Sequence, residues 1–259
     1  MAFSHYYLLM FALCILYVES ADDPSAQLCN ENSNITTPEI TKNIDSLLTK
    51  LVQTTSQSGY STTTFGTDQT QVFGLAQCRG DVPNDECSSC IQNAAKEIKT
   101  LCPNRVDARL WYEYCFIRYN TKNFFGKVDT GYGVLYANVE NVTDPETFNE
   151  ALGALMYRTN MLAAAPGSKG VGTGETKLSD FVTLYALSQC TRDLSPLLCR
   201  QCLAIALGQT FCANKKGCRV IYSSCNIRYE LYPFFFPLDE KLALESSSIT
   251  HYMSVVRKP

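Results

Sequence analysis

The stretches QCRGDVPNDECSSC (residues 77–90) and QCTRDLSPLLCRQC (residues 189–202) are one motif written twice. Each reads Gln followed by C-x8-C-x2-C, with Cys78, Cys87 and Cys90 in the first and Cys190, Cys199 and Cys202 in the second, offset by 112 residues. The agreement continues outward on both sides. VFGLAQC (72–78) matches LYALSQC (184–190), and YCFIRYN (114–120) matches SCNIRYE (224–230). Upstream, Thr36-Thr37-Pro38-Glu39 matches Thr143-Asp144-Pro145-Glu146 at an offset of 107. Four landmarks in one order, with small drifts in offset, describe a duplicated domain of roughly 100 residues. The expected division is a leader over 1–20, a first domain over 21–140, a second over 141–240 and a tail over 241–259.

Each copy repeats the same order of elements. The T-x-P-E segment reads as a helix start, with Thr36 or Thr143 as N-cap, Glu39 or Glu146 at N3 and proline in the first turn. Behind it Ile40, Ile44, Leu47, Leu48 and Leu51 share one helical face, as do Phe148, Leu152, Leu155, Met156 and Leu162 in the second copy. Polar stretches follow (53–70 and 167–179), the second holding Gly170-Val171-Gly172-Thr173-Gly174, which reads as a flexible loop. An apolar run, the cysteine cluster and a second helix come next, with Ile91, Ala94, Ala95 and Ile98 in one copy and Pro196 to Leu207 in the other. Aromatic, β-prone segments close each copy: 108–119 and 132–139, then 219–229 and the run to Phe236. Two helices on a small antiparallel sheet per copy, an α+β class, is the economical arrangement. The tail after Glu240 has no consistent period and is expected to fray. The short segment 139–144 between the copies implies contact between them.

Composition narrows the function classes. Charged residues make up 18% against roughly 25% in a typical domain, and the formal charge of −3 gives nucleic acid no basic face to bind. The two histidines, His5 and His251, lie at the extreme ends. Catalysis by a Ser-His-Asp triad or a Cys-His pair, and His-ligated metal, therefore have no imidazole in the body of the chain. Asp129-Thr130-Gly131 resembles the D-T-G of aspartic proteases but has no second copy, so it reads as a turn. The glycines of 170–174 lack the Lys-Ser/Thr of a phosphate loop. The two C-x-x-C pairs stand 112 residues apart in separate copies, so a structural disulfide reading prevails over zinc or redox chemistry. No carboxylate pair stands out for glycoside hydrolysis. No catalytic residue, metal or cofactor is expected.

The apolar segment Tyr6 to Val18 is too short to span a membrane and suits a secretory signal cleaved after Ser20. Cleavage removes Cys14 and leaves twelve cysteines, an even set suited to an oxidising compartment. With no later stretch long enough for a membrane anchor, a secreted, extracellular protein is expected. Two glycosylation sequons fit that address, at Asn34 and Asn141.

The C-x8-C-x2-C spacing, the phrase QCTRDLSPLLCRQCL (189–203) and the ending SCNIRYELYPFF (224–235) resemble plant cysteine-rich repeat secretory proteins with two ginkbilobin-like (stress/antifungal) domains, over about residues 28–238. The resemblance implies two helices on a five-stranded antiparallel sheet in each domain. It also implies the bonds Cys29–Cys102, Cys78–Cys87, Cys90–Cys115, Cys190–Cys199 and Cys202–Cys225, with Cys212–Cys218 as the completion. Spacing alone leaves 15 connectivities for six cysteines. It implies a non-enzymatic apoplastic defence protein with no cofactor. Its partner would be a cell-wall or microbial glycan, or alternatively an extracellular receptor-like protein or family member. Ginkbilobin-type domains are similar to mannose-binding lectins that hold sugar hydroxyls with an Asn, an Arg and a Glu. The matching positions are Asn30, Arg109 and Asn120 in the first copy, and Arg219 and Glu230 in the second. The second is expected to be the stronger half-site, because Asn120 puts a neutral amide where the second copy keeps a carboxylate. Without a first cysteine, the second copy is expected to lack the Asn. The aromatic ending Tyr229, Tyr232, Phe234, Phe235 and Phe236 reads as a core strand or as an exposed patch for a protein partner.

Overall fold

The computed structural model describes residues 23–236 and 252–257. The expected leader, with Cys14, and both histidines lie outside them. The first domain runs β1 (Ala26–Cys29), α1 (Pro38–Ser58), β2 (Tyr60–Phe65), β3 (Val72–Cys78), α2 (Asn84–Leu101), β4 (Asp107–Trp111) and β5 (Cys115–Asn120). The second runs β6 (Gly133–Asn138), α3 (Pro145–Ala163), β7 (Val171–Lys177), β8 (Thr183–Cys190), α4 (Pro196–Leu207), β9 (Cys218–Tyr222), β10 (Cys225–Glu230) and β11 (Tyr252–Arg257). The first sheet has the order β1-β4-β5-β3-β2 and the second β11-β6-β9-β10-β8-β7, with every pairing antiparallel. The second sheet thus repeats the five-strand order of the first and adds β11 outside β6.

The helix starts fall one residue later than the sequence suggests. Thr37 caps α1 by accepting from the Ile40 amide, and Asp144 caps α3 by accepting from Thr147. Pro38 and Pro145 hold the first helical position, where a missing N–H costs nothing, and force the residue before them out of the helical region. On α1 the face Ile40, Ile44, Leu47, Leu48 and Leu51 is buried as expected. On α3, Leu162 turns outward, and Thr159 and Ala163 complete the stripe behind Phe148, Leu155 and Met156.

Both C-x-x-C pairs lie on helices and bond outward to strands. Cys87 and Cys90 join α2 to Cys78 on β3 and Cys115 on β5; Cys199 and Cys202 join α4 to Cys190 on β8 and Cys225 on β10. Cys29–Cys102 and Cys212–Cys218 make up the six bonds. Each staple fixes the helix layer on its sheet. The opposite faces of the two sheets meet each other. Leu75, Trp111 and Phe116 from the first sheet form one buried cluster with Val134 and Ile221 from the second, joined by Phe124 and Tyr132 from the connection between them. Both faces of the central strands are therefore covered, which explains their near-continuous apolar runs.

Three expectations are corrected. The segment 132–139, read as the end of the first copy, is β6 of the second sheet, in register with β9 from Gly133–Tyr222 to Ala137–Cys218. The connection between the copies therefore runs between Asn120 and Gly133 and not over 139–144. A strand pattern shows that a strand exists, not which sheet receives it. The glycine-rich stretch 170–174 is not a flexible loop, because Gly170 closes a turn and Val171 to Gly174 begin β7. A Cβ on Gly172 would lie 2.1 Å from the Thr159 carbonyl and 2.8 Å from the Ala163 amide, so the glycine permits the strand to run against α3. In the tail, Tyr252–Arg257 is not frayed but pairs with the edge that β6 presents; the rest of the tail lies outside the described residues.

Candidate functional site

In the first domain the candidate sugar residues meet at the end of β1. Asn30, just past Cys29, donates from Nδ2 to Asp107 Oδ2 at 3.1 Å and accepts at Oδ1 from the Asn32 amide at 3.1 Å. Arg109 on β4 is buried; its guanidinium reaches Asp129 at 2.8 Å, Ser223 of the second domain at 2.5 Å and Asp107 at 3.5 Å. Asn30, Asp107, Arg109, Asp129, Gly131 and Tyr132 line a groove of about 420 Å³. Asn120 stands in register with Asp107 on the neighbouring strand, but its side chain accepts from the Lys122 amide and takes no part in the groove wall. The carboxylates at this groove come instead from Glu31, Asp107 and Asp129. The Asp129-Thr130-Gly131 segment thus lies in the connection between domains, where Asp129 also accepts from Arg118 at 3.2 Å. Burial and the like charge of Arg109 bring the Arg118 guanidinium down to about 10 despite these acids.

The second domain holds an asparagine after all. β6 takes the place of β1, and Asn138 stands where Asn30 does. The Asn138 amide donates to the Gly217 carbonyl at 2.8 Å, as the Asn30 amide does to Asp107 at 3.1 Å, and each side chain accepts from the amide two residues on. The signal was strand register rather than cysteine position. Asn138, Arg219 and Glu230 therefore complete the trio, but the site is closed. Arg219 donates to Glu113 of the first domain at 2.7 Å, and Glu230 is fully buried and accepts from Arg228 at 3.0 Å. The Glu230 carboxylate packs on the backbone of Gly217, where a Cβ would come within 2.0 Å of it.

Glu113 is the centre of the seam between domains. Its carboxylate receives Arg79 at 2.6 Å, Arg219 at 2.7 Å and Arg228 at 3.0 Å. Burial alone would raise this carboxyl, but the three guanidiniums outweigh it and hold it at about 2. Arg79 also pairs with Asp81 at 2.7 Å. The aromatic ending is neither an outward patch nor a simple core strand. Tyr229 is buried on β10, while the Phe234 carbonyl accepts from Arg79 and the Phe236 amide donates to Asp81. The two motif glutamines close the seam reciprocally: Gln77 donates to the Cys190 carbonyl at 2.9 Å, and Gln189 to the Cys78 carbonyl at 3.2 Å. The Gln-Cys repeat was visible in the sequence, but its role required knowing that the copies face each other.

The sequons occupy equivalent places too. Asn34 and Asn141 are both exposed, each in an isolated bridge to the loop before its domain's fourth strand (β4 or β9), Asn34 with Arg105 and Asn141 with Lys215. Among the described residues no helix is long and apolar enough to cross a membrane.

This pairing of two stapled domains has relatives. Residues 28–122 and 136–232 each match the salt stress response/antifungal family. The chain belongs to that family. It is 55% identical over 226 residues to the Arabidopsis thaliana cysteine-rich repeat secretory protein 55, covering 85% of this chain and 86% of the relative. To an antimicrobial ginkbilobin-2-like protein of Castanea crenata it is 37% identical over 222 residues, covering 85% and 92%. Its fold is similar to the crystal structure of the tandem DUF26 ectodomain of the Arabidopsis thaliana cysteine-rich receptor-like protein PDLP8. The TM-score is 0.70 at 29% identity, over 81% of this chain and 98% of that one. The two family matches break between residues 122 and 136, where the sheets also divide.

Proposed function

We propose that this member of the salt stress response/antifungal family is a secreted, non-enzymatic recognition protein of the plant apoplast, binding a mannose-type or cell-wall glycan in the groove of its first domain. The observation that supports the reading is the contrast between the two trios. Asn30, Asp107, Arg109 and Asp129 line an open groove, whereas Arg219 and Glu230 are taken up by Glu113 and Arg228. Acceptor carboxylates backed by a guanidinium suit sugar hydroxyls as donors, in charge-assisted hydrogen bonds roughly twice as strong as neutral ones. The secretory and antimicrobial names of the relatives support the compartment and the defence role. Glycans on Asn34 and Asn141 belong to the same reading, and digestion with a peptide-N-glycosidase should lower the mass in two steps. A glycan array on the secreted protein tests the groove. Binding should be lost in Asn30→Ala and kept in Asn138→Ala. A wild-type chain that retains no glycan overturns the reading. It would favour a receptor-like protein partner, which the receptor-like ectodomain neighbour already suggests.

A further inference from the structure

We infer that the outward face of α3 is a self-association surface, at which two copies of this chain pair antiparallel about Ala154. The stripe Glu150, Ala154, Tyr157 and Met161 recurs at i, i+4, i+7 and i+11 and lies opposite the buried Phe148, Leu155 and Thr159. Tyr157 is 67% and Met161 43% exposed. The first domain supplies an internal control. The buried stripe of α1 matches that of α3, yet its outward face carries Lys42, Ser46, Thr49 and Gln53. The fold therefore does not require apolar side chains at these positions.

Gly153 is a second, independent observation. Glycine is the costliest helix-interior residue after proline. Here a Cβ would meet nothing within 4 Å, so no packing inside this chain calls for it. Next to Ala154 it leaves a low shoulder on an exposed helix, over which another backbone can approach closely. The charges select which one. Glu150 and Arg158 are both exposed and stand four residues to either side of Ala154. A two-fold axis at Ala154 sets Glu150 of each copy against Arg158 of the other, and sets each Tyr157 ring beside the opposite Gly153. A face that is complementary to itself in this way is what an isologous dimer needs. A single helix pair is small for a specific interface, so the dimer is expected at micromolar concentration or above. None of this depends on the groove of the first domain, and Asn30→Ala should dimerise as wild type does.

Sedimentation equilibrium of the secreted full chain, from about 1 to about 300 µM, tests the proposal. Wild type should pass from monomer to dimer over this range. Glu150→Arg alone and Arg158→Glu alone should each weaken association at least tenfold, since each then opposes like charges across the axis. An equimolar mixture of the two variants should associate again, because one presents two guanidiniums and the other two carboxylates. Both substitutions are exposed, and an unchanged circular dichroism spectrum and melting temperature would confirm folding. A wild type that stays monomeric throughout, a dimer indifferent to both substitutions, or a mixture no better than its components overturns the proposal.

Discussion

Glu113 shows how much one side chain can decide. Nothing in the stretch Trp111-Tyr112-Glu113-Tyr114-Cys115 marks it, because its three arginines arrive from the residue after β3, from β9 and from β10, up to 115 residues away in sequence. Replacing it by Gln leaves Arg79, Arg219 and Arg228 crowded around a neutral amide. Removing one partner from a buried ionic cluster costs ~3–5 kcal/mol, and the expected loss in urea unfolding at pH 7 is of that order, reduced because Glu113 is partly solvent-accessible. The pH dependence has a fixed sign. The carboxyl titrates at about 2 when folded, below the ordinary ~4.3 of a glutamate. Its contribution is therefore complete above about pH 5 and is lost as pH falls through the folded value. Wild type should lose stability relative to Glu113→Gln between about pH 5 and pH 2; parallel stability curves for the two would show that the cluster contributes nothing at the seam.

At the scale of elements, two glycines of the second domain make opposite predictions. Gly172 sits where a Cβ would strike the Thr159 and Ala163 backbone, which cannot yield as a side-chain tip can. Gly172→Ala should destabilise by ~1–3 kcal/mol through forced separation of β7 from α3. Gly153 faces open space on the same helix, and Gly153→Ala should stabilise the monomer by ~1 kcal/mol, the helix propensity difference. Thermal melts at low micromolar concentration check both, and equal shifts would refute the packing account of β7. The same contrast explains what was legible. The helices showed in the sequence because a 3.6-residue period over Ile40–Leu51 has one physical reading. β7 did not, since glycines that admit a neighbouring helix carry the same composition as a loop. β6 and β11 are strands whose partner is set by tertiary pairing, and no local pattern encodes a partner. The Asn-Arg-Glu positions were legible as residue types, while their opposite fates, one open and one closed, depend on Glu113 reaching across from the other domain.

As a whole the molecule is a four-layer stack, helices outside and two sheets facing each other, with a seam that repeats the duplication in its own contacts. Gln77 and Gln189, each immediately before the first cysteine of its motif, donate to the carbonyl of the other domain's equivalent cysteine. The symmetry is incomplete, because Gln77 also accepts from the Arg192 amide at 2.9 Å. Both glutamines are buried, so truncation strands backbone groups away from water, at ~1–3 kcal/mol for each group left unpaired. Gln77→Ala orphans a carbonyl and an amide, while Gln189→Ala orphans one carbonyl. Gln77→Ala should accordingly be the more damaging of the two. The pair act on one seam and share the Cys78 and Cys190 segments, so the double variant should depart from the sum of the singles. Each domain keeps its own apolar core and its own three disulfides, so weakening the seam alone should uncouple them rather than unfold either. Calorimetry should show one transition for wild type and two for Gln77→Ala, Gln189→Ala, with the lower one moved further by adding Glu113→Gln. A double variant that still melts in one transition at the wild-type temperature would mean that the apolar contacts of Leu75, Trp111 and Phe116 with Val134 and Ile221 join the domains without the glutamines.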